Sequence, residues 1–309
     1  MQPTLERSHV VDAAALHPDL GRGLPANYFR ACAAARHELK SLLSSYLQLR
    51  HDLYLLSNTS HGLVTVAAGL AHDGIILDAS SSPYPGYAAL APLPQTATGR
   101  RVRLLTHVDP LSGVVADLAS GIQQPIVLDA AQSFGTIGRH ADIARAEIFI
   151  CPLHKHVGIA PGLGLLGLRP DLIVPGLKSY AAAAEQGTAY LPLLRQALDE
   201  IERHNGNLVN TLTFNVDKGF RSVLDNMGIT LLTPNAELLP FVCLRGPLPG
   251  RLVDECLKHN LSTKHFVAQN IIRISGAKRG ALHSIPDDRT VDLLAALRSV
   301  FTHPISGGS

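Results

Sequence analysis

Residues 126–133 read IVLDAAQS, and residues 148–164 read IFICPLHKHVGIAPGLG. The first is a short apolar run ending in a carboxylate, the pattern of a strand buried on both faces of a parallel sheet. Such a strand carries Asp129 to its C-terminal tip, where open α/β sheets keep their ligand sites. The second run ends in His154 and Lys155, ahead of a glycine-bearing loop that lets backbone approach a ligand closely. Outward from these two, further candidate strands lie at residues 52–57, 75–79, 102–107 and 164–168, with helical periodicity between them, as at 61–71. The alternation predicts an α/β fold, a mostly parallel sheet wrapped by helices.

Residues 1–190 are expected to form this large domain behind a short N-terminal arm. A long helical connection follows over 191–227, and 228–309 read as a smaller α+β domain. With 309 residues, 46% of them hydrophobic, the chain can bury two cores. The net charge of +2 shows no basic stripe, so neither nucleic acid nor an anionic membrane is an expected partner. No apolar run is long enough to span a bilayer, and Glu6, Arg7 and His9 do not fit a signal peptide, so a cytoplasmic protein is expected. Cys32, Cys151, Cys243 and Cys256 lack the spacing of a zinc knuckle or disulfide framework and read as buried small hydrophobes.

A carboxylate on one strand tip and a lysine on a nearby one suit pyridoxal phosphate. That cofactor needs an anion to keep its ring nitrogen protonated and an amine to take its aldehyde. The D-x-x-Q of Asp129 and Gln132, followed by the H-K pair of His154 and Lys155, resembles the fold-type I pyridoxal-phosphate enzymes of the class V aminotransferase group. That group includes cysteine desulfurases and isopenicillin-epimerase-like proteins. The resemblance covers most of the chain from Asn27 onward. It implies a cofactor-binding large domain and a homodimer with shared active sites.

It also implies roles for particular residues. Lys155 is the catalytic amine, Asp129 the partner of the ring nitrogen, Gln132 a donor to the ring oxygen, and His154 a positioning group. The turn reading NTSH at 58–61 opens a helix, where free N–H groups suit a phosphate, and Thr59 and Ser60 are the candidate contacts. The same residues are also ordinary helix caps. Gly187 and Thr188 correspond to a G-T pair that reaches the neighbouring subunit's cofactor. Tyr84, with Tyr87 behind it, is the candidate for stacking on the ring. Arg273, in an R-x-S, is the candidate clamp for a substrate carboxylate.

Departures from the group are as specific. Asp109 and Pro110 replace its frequent S-N pair, and Pro152 stands where many relatives have a phosphate-binding serine. Residues 261–272 hold no cysteine, which argues against a persulfide-forming desulfurase. The expected function is a pyridoxal-phosphate enzyme acting on an α-amino acid, with transamination first. A β/γ-eliminating carbon–sulfur lyase, an epimerase or a decarboxylase are the alternatives, and a non-enzymatic descendant of the fold is a further one. A metal hydrolase built on the H-x-H of His154 and His156, helped by His140 or His265, leaves Asp129 and Lys155 unused, so no metal is expected.

Overall fold

The computed structural model describes residues 25–79, 87, 100–118, 126–136, 143–159, 161–188, 190–210, 212–234, 239–276 and 287–301. The chain enters through α1 (Pro25–Tyr46), whose buried Cys32, Ala35, Leu39 and Leu43 recur at helical spacing and face the core. Six strands form the main sheet: β1 (Asp52–Leu56), β2 (Ile76–Asp78), β3 (Arg101–Thr106), β4 (Ile126–Asp129), β5 (Ile148–Pro152) and β6 (Gly164–Leu168), in the order β1-β6-β5-β4-β3-β2. β2 to β5 pair in parallel. β6 runs against both β5 and β1, so β1 points the same way as β2 to β5. The α/β expectation holds, while β6 is the antiparallel member of a set read as alike. Eleven residues without a helix join Pro152 to Gly164, too little for a parallel crossover.

The central strands β4, β5 and β6 are buried along their whole length because both faces are covered, while β1 and β3 start with exposed Asp52 and Arg101. Leu128, Phe149 and Cys151 join a cluster with α1 and α4 (Leu191–Arg203). Val127, Ile148 and Ile150 join one on the other face with α2 (Thr59–His72) and α3 (Pro175–Thr188). α2 and α3 touch backbone to backbone, since a Cβ on Gly69 would lie 2.6 Å from Leu177 Cα. The outer edge of β1 is tied down as well. Glu185 on α3 accepts the Leu55 N–H at 2.8 Å and pairs with Lys40 on α1 at 3.0 Å.

The expected single helix over 191–227 is instead α4, a short β7 (Leu212–Thr213) and α5 (Lys218–Asn226). Asn205 and Gly206 adopt left-handed backbone at φ 48° and 69° and stop α4. β7 pairs in parallel with β12 (Asp287–Asp288). Phe214, Val216, Phe220 and Leu224 already belong to the second core. That core lies between helices and one face of an antiparallel sheet ordered β10-β11-β9-β8. Its strands are β8 (Thr230–Leu231), β9 (Phe241–Arg245), β10 (Leu261–Phe266) and β11 (Ile271–Gly276); α6 (Leu252–Lys258) and α7 (Thr290–Phe301) complete it. The other face of this sheet, with Phe241, Cys243 and Ile271, packs on Val108, Leu111 and Val115, which follow β3.

Candidate functional site

Because β1, β4 and β5 run the same way, their C-terminal ends bring Asn58, Asp129 and Lys155 to one edge of the sheet. The opposite face of the small sheet closes over them with Lys264, Phe266 and Arg273. Together they line a cavity of about 190 Å3.

The first wall is the start of α2. Asn58 caps the helix from extended backbone; its Oδ1 accepts the His61 N–H at 2.8 Å and its carbonyl the Gly62 N–H at 3.0 Å. Among the described residues no such acceptor serves the N–H groups of Thr59 and Ser60, so the helix presents two donors and its positive end to the cavity. His61 does not line the cavity, and its Nδ1 meets Ser57 Oγ at 3.1 Å. Gly164 is needed for this arrangement: a Cβ there would stand 3.1 Å from both the Asn58 backbone and the Cys151 carbonyl.

Asp129 ends β4 almost fully buried. Its Oδ1 accepts the Ala131 N–H at 2.8 Å, and its Oδ2 takes a short hydrogen bond from the Tyr87 hydroxyl, which also meets Thr106 Oγ1 at 3.2 Å. Burial pushes the carboxyl pKa up; the Tyr87 and Ala131 hydrogen bonds and the nearby Lys155 pull against it. A buried carboxylate in that balance is suited to a cationic N–H, which is what a protonated pyridine ring offers. Behind it, the fully buried His107 and Ser133 side chains meet at 2.8 Å and stiffen the turn after β4.

Lys155 sits in a turn pinned on both sides by Leu153 and Val157, each wholly buried in the large core. The Leu153 N–H binds the Leu163 carbonyl at 2.9 Å and the Ile159 N–H binds the Leu153 carbonyl at 3.1 Å. Burial, then the Arg273 charge, lowers the lysine pKa to about 8, with Asp129 opposing. His154, exposed at the rim, has its pKa lowered too, by burial of part of its ring and by Lys155. Gln132 is buried and lines the cavity one turn beyond Asp129. Arg273 reaches in from β11 between two rings, its Cζ 5.3 Å from the Phe241 centroid and 5.9 Å from that of Phe266.

The structure thus brings together Thr59, Ser60, Asp129, Gln132, His154, Lys155 and Arg273. Tyr84 lies outside the described residues. Tyr87, its alternative, is a hydrogen-bond donor to Asp129. Gly187 and Thr188 end α3, with Gly187 exposed. Pro110 and Pro152 both line it, and the Pro110 carbonyl receives Cys243 Sγ of the small sheet at 3.6 Å. Lys264, Phe266 and Thr106 were not anticipated; their place depends on pairing between distant strands, which local patterns do not display. His154 is exposed and His156 buried, and among the described residues no three His, Cys, Asp or Glu side chains group as metal ligands. No helix among them is long and apolar enough to cross a membrane.

Residues 11–301 match a family described as a family of unknown function (DUF6024). No curated protein matches the chain. Among solved structures the chain is similar to a cysteine desulfurase from Thermococcus onnurineus NA1, at 16% identity and a TM-score of 0.60 over 88% of this chain and 84% of that one. An alanine–glyoxylate aminotransferase from Nostoc sp. aligns at 18% identity and 0.57 over 86% of each chain. An 8-amino-7-oxononanoate synthase from Francisella tularensis aligns at 20% identity and 0.57 over 87% and 85%. The fold is therefore the one that the class V resemblance implied.

Proposed function

We propose a function from the premise that the chain belongs to the DUF6024 family of unknown function and has the fold of class V aminotransferases and cysteine desulfurases. It is a pyridoxal-phosphate enzyme acting on an α-amino acid, with transamination as its reaction. The observation that carries this reading is the convergence of Asp129 and Lys155 on one cavity whose wall is a helix N-terminus. When bound, pyridoxal phosphate supplies an aldehyde and a protonated ring that draws electrons from the substrate Cα.

The residues present fit that group. The N–H groups of Thr59 and Ser60 receive the phosphate. Asp129, fixed by Tyr87 and Ala131, holds the proton on the ring nitrogen. Gln132 donates to the ring oxygen and His154 helps orient the lysine. With its pKa near 8, Lys155 is in part a neutral amine at physiological pH, and it would hold the cofactor and move a proton at the substrate Cα. Arg273 holds the substrate carboxylate with its planar fork, and Phe241 and Phe266 fix the plane. Gly187 and Thr188 would serve the neighbouring site in a homodimer. Cytoplasmic residence, suited to four buried free thiols, completes the proposal.

A persulfide mechanism has little support here, since Cys243 is wholly buried and its thiol is pushed up to about 12. Borohydride treatment of the loaded, yellow protein followed by peptide mass spectrometry should place the fixed cofactor on Lys155. An adduct on Lys178 instead would sink the assignment. A panel of amino acids then separates the reactions: keto acid formed only with an amino acceptor means transfer, whereas ammonia with pyruvate means elimination.

A further inference from the structure

We propose that the substrate carries a second anionic group and that Lys264 is the residue that receives it, an inference that rests on the amino-acid reading above. In the β10–β11 pair Lys264 stands directly opposite Arg273, so both side chains leave the same face of the sheet. The neighbouring Ile272 and Ile274 point the other way, into the second core. Phe266 serves both cations: Lys264 Nζ lies 5.2 Å and Arg273 Cζ 5.9 Å from its ring centroid.

Like charges placed directly across an antiparallel pair repel. Among the described residues no carboxylate pairs with Lys264. Among the described residues the acid that lines the cavity is Asp129, whose charge would be matched by the ring nitrogen. Arg273 is matched by the α-carboxylate and the start of α2 by the cofactor phosphate. One positive charge is left, and it faces the substrate. Lys264 is exposed where Arg273 is half-buried, so the second anion sits toward the mouth, at the far end of the substrate's side chain. A side-chain carboxylate, phosphate or sulfonate has the required chemistry.

The test is calorimetric titration of the pyridoxal-phosphate-loaded protein with glutarate and with butyrate, which carry no amine and cannot turn over. Glutarate should bind on the order of tenfold more tightly than butyrate. Lys264→Ala should abolish that preference with butyrate binding unchanged, and Lys264→Arg should restore most of it. Equal binding of the two acids by the unaltered protein, or a preference that survives in Lys264→Ala, overturns the proposal. So does release of pyridoxal phosphate from Lys264→Ala on dialysis, which would make Lys264 a cofactor ligand. A protein that takes up no cofactor on Lys155 refutes the amino-acid reading instead, and the two titrations repeated on the cofactor-free protein and its Lys264→Ala variant then decide whether Lys264 receives the second anion. Comparing KM for glutamate, O-phosphoserine and cysteate against alanine then distinguishes the three anions.

Discussion

A lysine whose pKa is lowered to about 8 opposes folding wherever it must carry its proton, and Lys155→Met in cofactor-free protein exposes that cost. From an unfolded value of 10.5 to about 8 is a drop of some 2.5 pK units, or about 3 kcal/mol between the protonated and neutral forms. Below about pH 8 both folded and unfolded chains are protonated and the whole penalty acts against the fold. Between the two pKa values the unfolded chain binds a proton that the folded chain has shed, so stability rises with pH; above 10.5 the penalty is gone. Methionine has a similar shape and no charge. Lys155→Met should therefore be the more stable protein at about pH 7, by up to about 3 kcal/mol, with the advantage shrinking by about 2 kcal/mol towards pH 9.5. Urea titrations at a series of pH values read this directly. Because Arg273 is the second cause of the shift, the gain should be smaller in an Arg273→Ala background. A pH-independent difference, or a Lys155→Met protein less stable at every pH, would show that the amine is not held against its charge and would remove the case for a neutral nucleophile.

In Arg273→Ala, kcat/KM should fall by about 3 kcal/mol, roughly a hundredfold, for every amino acid alike, while the cofactor is retained and Arg273→Lys recovers only part. Uniformly unchanged kinetics would place the carboxylate elsewhere. Asn58→Ala should lose the α2 cap and about 1 kcal/mol of stability, seen as a lower Tm, and should also shed pyridoxal phosphate faster on dialysis. Retention equal to that of the unaltered protein would move the phosphate off this helix. Light scattering of the loaded protein should report a dimer, and Thr188→Ala should weaken cofactor retention with little change in Tm; a fully active monomer would remove the shared-site proposal.

β4, β5 and β6 were legible because each is buried along its whole length and so appears as a short apolar run, whereas β3 shows instead as the alternation of RVRLLT. Direction was not, since the GLLGL of residues 164–168 looks the same either way; it is the helix-free connection after Pro152 that reverses β6. The break in the 191–227 segment had a signal in Asn205 and Gly206, a left-handed stop that outweighs the helical pattern around it. Among the residues that line the cavity, Thr59, Ser60, Asp129, Gln132, His154 and Lys155 were legible because each lies within a few positions of a strand end. Lys264 was not, because what brings it to Arg273 is register. A single 3-10 turn over Val267–Gln269, closed by Asn270 at φ 52°, pairs Phe266 with Ile271, and counting back from that turn sets Lys264 against Arg273. The place of Lys264 opposite Arg273 is thus set by a hairpin turn remote from Asp129 and Lys155. One residue inserted in that turn would turn Lys264 to the opposite face while leaving Asp129 and Lys155 untouched.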